Sequence, residues 1–97
     1  MDKLQNFRER IDTIDEKIIR LISERLGICK EVAEFKSEND IPMMQPERVK
    51  EVLRKRKELA DELHINPALV GNIYKLIVEE ACQLEDEIIE RLAKKES

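Results

Sequence analysis

Residues 3–37 read KLQNFRERIDTIDEKIIRLISERLGICKEVAEFKS, and this stretch decides the fold. Apolar side chains fall at Leu4, Phe7, Ile11, Ile14, Ile18, Leu21, Ile22, Ile28, Cys29, Val32 and Phe35. Steps of three and four place them on one face of a single amphipathic helix, from about Lys3 to about Ser37. Gly27 costs roughly 1 kcal/mol relative to alanine but does not break the pattern. A helix of this length spans about 50 Å. A compact chain of 97 residues is only roughly 25–30 Å across. One subunit cannot cover so long an apolar stripe, which argues for an oligomer built on paired long helices.

Beyond this helix, SENDIPMMQ (37–45) holds a polar cluster and Pro42, and reads as an ordered loop. Pro46 suits a first helical position and Glu47 suits a helix N-terminus. The second helix runs from Pro46 to about Leu63, with the stripe Val49, Val52, Leu53, Arg56, Leu59, Ala60 and Leu63. Asn66-Pro67 is a cap followed by proline, a strong start signal. The third helix runs from Pro67 to about Ala93, on a stripe that includes Val70, Ile73, Leu76, Ile77, Val78, Ala81, Leu84, Ile88, Ile89 and Leu92. The tail 94–97 is expected to fray. The fold class is therefore all-α: one domain over residues 1–97, with one long helix and two shorter ones.

Composition agrees. Charged and hydrophobic residues each make up 41%, aromatics only 3%, and there are two glycines and three prolines. An all-β sandwich needs many more turn residues and aromatic or β-branched strands. The net charge of −4 gives no footprint for nucleic acid or an anionic membrane. A helix-turn-helix DNA binder would need a basic recognition helix, but helix three carries Glu79, Glu80, Glu85, Asp86, Glu87 and Glu90. No stretch approaches the ~20 apolar residues of a membrane span, and the first residues lack a secretion signal's basic and apolar regions. One histidine and the separated Cys29 and Cys82 make no metal-ligand spacing. They read as reduced core cysteines of a cytoplasmic protein.

The informative residues are charges on apolar faces. Ile18, Ile22, Arg25, Cys29, Val32 and Lys36 share one face of helix one, with Arg25 and Lys36 three turns apart. Two cations on such a face need an anion or a route to water. Snorkelling accounts well for Lys36 in the last turn and less well for mid-helix Arg25. In helix three, Glu85 interrupts Val78, Ala81, Ile88 and Leu92. It either pairs with Arg25 or Lys36 or serves a function. Arg48 and Arg8 read on periodicity alone as exposed arginines. Several cations in the pocket of an acidic protein suit a small, multiply anionic ligand. There is no nucleophile–base pair, phosphate loop or metal set, so any chemistry would run on positioning and electrostatics.

The strings FRERID (7–12), IDEKIIRLISER (14–25), VAEFK (32–36), IP (41–42), PER (46–48) and IYKLIVEE (73–80) cover nearly the whole chain. Together they resemble the all-helical chorismate mutases, the AroQ class. The resemblance implies an intertwined homodimer with two active sites and no cofactor. It implies the unimolecular rearrangement of chorismate to prephenate, on the route to phenylalanine and tyrosine. By position, Arg25 and the partner subunit's Arg8 would clamp substrate carboxylates. Lys36 would contact a carboxylate and the breaking ether oxygen, and Arg48 would add positive potential. Val32 and Val78 would line the apolar wall.

This sequence also departs from the family pattern. Glu85 stands where many members have a glutamine that donates to the ether oxygen. It can donate only when protonated, so burial is expected to raise its pKa and activity to fall as it ionises. Val49 stands where many mutases have a glutamate reaching the ring hydroxyl. Gln45 replaces a common aspartate and Ala81 a common serine. These changes bring in a related activity on the same fold, isochorismate-pyruvate lyase. A non-catalytic helical dimerisation or regulatory module is the reading outside enzymology. Retention of Arg8, Arg25, Lys36 and Arg48 together argues against it.

Overall fold

The computed structural model describes residues 2–42 and 45–96. Three helices account for nearly all of them: α1 spans Lys3–Glu38, α2 Pro46–Glu62 and α3 Pro67–Glu96. No strand occurs among the described residues, so the all-α class and the three-helix order are as expected.

Local chemistry sets the ends. Asp2 caps α1, its side chain accepting from the Leu4 N–H at 3.1 Å. At the other end, Asn39 donates both its backbone N–H and its side-chain amide to the Phe35 carbonyl. Asp40 then adopts a left-handed φ of 52°, and the Ile41 N–H closes onto the Lys36 carbonyl at 2.9 Å. The same device ends α2: His64 has φ 58°, and Ile65 donates to the Ala60 carbonyl at 2.8 Å. Asn66 caps α3 by accepting from the Ala68 N–H at 3.0 Å. Met43 and Met44 of the expected loop lie outside the described residues, as does Ser97. The expected fraying after Ala93 does not occur: α3 continues through Lys94 and Lys95 to Glu96. Two lysines in a last turn complement the helix dipole, which favours that extension.

Helix α3 packs against both α1 and α2, whereas α1 and α2 do not pack against one another. Gly71 leaves room for the Lys57 side chain of α2, since a Cβ there would stand 2.6 Å from Lys57 Cε and the flexible chain would have to shift. The molecule measures 63 × 29 × 15 Å. Fifteen ångströms is little more than one helix with its side chains, so the three helices lie in a single layer with α3 in the middle. The core is correspondingly thin: Ala33, Val52, Ala60, Ala81 and Ile88 are its buried apolar residues. Every residue from Asp2 to Leu21 is exposed. Leu4, Phe7, Ile11, Ile14 and Ile18 are each 43–56% accessible. The long helix thus carries its apolar stripe well beyond anything in its own chain that could cover it.

Candidate active site

Because α1 and α2 flank α3 without touching, a cleft of about 520 Å³ opens between them. That volume lies within the range of small-molecule sites, roughly 300–1,000 Å³. Helical spacing supplies each wall. Arg25, Ile28, Cys29, Val32 and Lys36 come from α1, and Arg48, Val49, Val52 and Arg56 from α2 with Gln45 just before it. Val78, Ala81, Cys82 and Glu85 form the floor from α3. Nine of the ten residues singled out in the sequence line this one cleft; Arg8 does not. Arg8 is exposed on α1, seventeen residues before Arg25, or about 25 Å along the axis. It cannot reach the cleft of its own chain.

Lys36 Nζ donates to Glu85 Oε1 at 3.2 Å, joining the α1 wall to the floor, with the two side chains only 16% and 11% accessible. Of the two partners left open for Glu85, Lys36 is therefore the one it meets. Removing one member of so sheltered a pair would leave an uncompensated charge. Arg48 is turned along its own helix, with Nη1 donating to Glu51 Oε1 at 2.6 Å. That hydrogen bond, helped by the Lys55 ammonium, holds the Glu51 carboxyl below the usual carboxylate range. Arg25 Nη1 lies 4.0 Å from Cys29 Sγ, one turn along α1.

Sequence reasoning missed several lining residues. Arg56 carried a readable signal, a cation on the apolar stripe of α2, the same signal that singled out Arg25. It is half-buried, with its guanidinium 5.5 Å from the centroid of the Tyr74 ring on α3, a cation–π contact. Ile28 and Val52 carried no signal, because an apolar wall residue and an apolar core residue look alike in a helical pattern. Both cysteines are free, but they border the cleft and are half-buried rather than belonging to the core. Burial, together with the neighbouring Glu85 carboxylate, pushes the Cys82 thiol above its ordinary pKa. No group of three histidine, cysteine, aspartate or glutamate side chains among the described residues could hold a metal ion.

The cleft thus presents four cations, Arg25, Lys36, Arg48 and Arg56, against one carboxylate, Glu85, in a chain of net charge −4. Such a site can grip a small polyanion and stabilise developing negative charge without a nucleophile. Comparison with known proteins points the same way. The family model of type II chorismate mutases matches residues 7–86. The chain is 33% identical over 95 residues to the chorismate mutase of Methanocaldococcus jannaschii, covering 98% of this chain and 96% of that protein. It is 36% identical over 88 residues to a 4-amino-4-deoxychorismate mutase of Streptomyces pristinaespiralis, covering 91% of this chain and 68% of that protein. It is also 38% identical over 92 residues to the bifunctional chorismate mutase/prephenate dehydratase of Aquifex aeolicus, covering 91% of this chain but 25% of that protein. With its three-helix layer and cationic cleft, the chain belongs to the type II chorismate mutase family, a family of isomerases.

Proposed function

We propose that the chain works as a homodimer that rearranges chorismate to prephenate by holding its reactive conformer and stabilising charge on the ether oxygen. The observation that carries this reading is the convergence of Arg25, Lys36 and Arg48 on one cleft whose floor bears Glu85. The substrate is a dianion, and guanidinium forks suit its carboxylates. Arg25 grips one carboxylate. Lys36 exchanges part of its contact with Glu85 for a second carboxylate and the ether oxygen, where negative charge grows in the transition state. Glu85, through its contact with Lys36, holds that ammonium at the floor where the oxygen arrives. Arg48 adds positive potential once it swings from Glu51. Val32 and Val78 shape the apolar wall, and Gln45, Val49 and Ala81 border the ring.

Arg8 of a second chain completes the site. The uncovered stripe of α1, Leu4 to Ile18, supports a partner helix there, and only a second copy can bring an Arg8 near Arg25. The site requires no cofactor for this chemistry and works in the cytoplasm. No helix among the described residues is long and apolar enough to cross a membrane.

A second substrate enters through the name of the Streptomyces pristinaespiralis relative. The 4-amino congener would undergo the same rearrangement, with an ammonium in place of the ring hydroxyl. Val49, where a hydroxyl-binding glutamate is common in the family, leaves that position of the ring less constrained. The deciding experiment incubates purified protein separately with chorismate, 4-amino-4-deoxychorismate and isochorismate, and follows rearranged product and pyruvate. Prephenate from chorismate is expected. Pyruvate from isochorismate would make the protein a lyase, and no turnover of any substrate would leave a binding module. Arg25→Ala is expected to lower kcat/KM on the order of 10²–10³-fold with helicity unchanged by circular dichroism.

A further inference from the structure

The cations of the cleft are not equivalent. Glu85 engages Lys36 and Glu51 engages Arg48. On the outer face of α2, Glu58 engages Arg54. Arg56 pairs with no carboxylate among the described residues; it rests instead on the Tyr74 ring. An aromatic face holds a guanidinium in place without neutralising it. The charge of Arg56 is thus held against α3 at the edge of the cleft that Arg56 lines. Position sharpens the point. Lys36 and Arg48 lie close to the 39–45 connection. Arg25 lies eleven residues from Lys36, and Arg56 eight residues from Arg48, both farther from that connection. These steps amount to about 16 and 12 Å along their helices. The end of the cleft remote from the connection therefore carries two guanidiniums from opposite walls, neither joined to an acid among the described residues.

We propose that Arg56 is a specificity residue of the cleft, favouring a substrate whose charges are all negative over a congener that carries an ammonium. The inference rests on the mutase reading above and goes beyond it. Both candidate substrates bear two carboxylates, so attraction to Arg56 is common to them. Repulsion falls only on the ammonium. In a cleft of about 520 Å³, no ring substituent lies far from a lining cation. Unit charges roughly 8 Å apart at an effective dielectric of about 30, that of a partly hydrated site, discriminate by roughly tenfold. Val49 and Val52, the wall residues between Arg48 and Arg56, provide no carboxylate that would offset it, and the cleft's carboxylate, Glu85, is engaged by Lys36.

The test measures kcat/KM for chorismate and for 4-amino-4-deoxychorismate at neutral pH, in wild type, Arg56→Gln and Arg56→Lys. Wild type is expected to prefer chorismate. Arg56→Gln is expected to lower chorismate turnover mainly through KM, and to shrink the preference by about tenfold. Arg56→Lys, which keeps the charge, is expected to keep the preference. An Arg56→Gln enzyme that slows on both substrates by the same factor overturns the proposal, since a packing or simple carboxylate-binding role acts on both alike. Loss of the preference in Arg56→Lys as well would also overturn it, because shape rather than charge would then be selecting. Wild type that turns over neither substrate refutes the mutase reading, and this proposal with it. Wild type that turns over chorismate with a ratio unmoved in Arg56→Gln refutes the role of Arg56 alone.

Discussion

Glu85 and Lys36 sit within 3.2 Å of one another at the floor of the cleft, nearly out of solvent. In the proposed mechanism, a substrate oxygen arriving at Lys36 shares the ammonium with that carboxylate. A glutamine at the same position would place an uncharged donor beside Lys36 and end the competition for the ammonium. Glu85→Gln is therefore expected to lower KM for chorismate, and steady-state kinetics check this. An unchanged KM and kcat would remove Glu85 from the reaction. Arg25, Lys36 and Glu85 stood out in the sequence because a charge on an apolar helical stripe breaks a one-dimensional pattern. Arg56 broke the pattern too, yet its meaning depended on Tyr74 of another helix, which no spacing within α2 reveals. Cys29, Cys82 and Val52 broke nothing. Whether an apolar side chain faces a core or a cleft depends on how far apart two other helices stand.

At the scale of the elements, the starts of the helices were readable because capping is local chemistry. Asn66 accepts from the Ala68 N–H at 3.0 Å, with Pro67 following as the sequence suggested. Asn66→Ala is expected to lower stability by about 1 kcal/mol, measured by urea denaturation. Gly27 lies mid-helix in α1 with nothing within 4 Å of where a Cβ would stand. Gly27→Ala is expected to raise stability by about 1 kcal/mol in the same measurement. The ends were less readable. The turns after α1 and α2 use Asp40 and His64 at positive φ, residue types that do not announce a left-handed position as glycine does. The last turn of α3 formed where fraying was expected, because Lys94 and Lys95 suit a helix C-terminus electrostatically.

At the scale of the whole molecule, the length of α1 carried the argument for a second chain, and the 63 Å extent with an uncovered stripe gives that argument its geometry. Arg8→Ala and Arg25→Ala are each expected to be nearly inactive. Refolded together, they should recover roughly a quarter of wild-type activity, because half of the dimers then hold one intact site. No recovery would place Arg8 outside the site. The single-layer build has a further result. A slab 15 Å thick gives few side chains protein on both sides, so in the proposed dimer folding and association would form one equilibrium governed by mass action. The thermal midpoint is then expected to climb with protein concentration, each tenfold increase adding about 1.4 kcal/mol per mole of dimer. Dilution would act on this protein as a denaturant does on others.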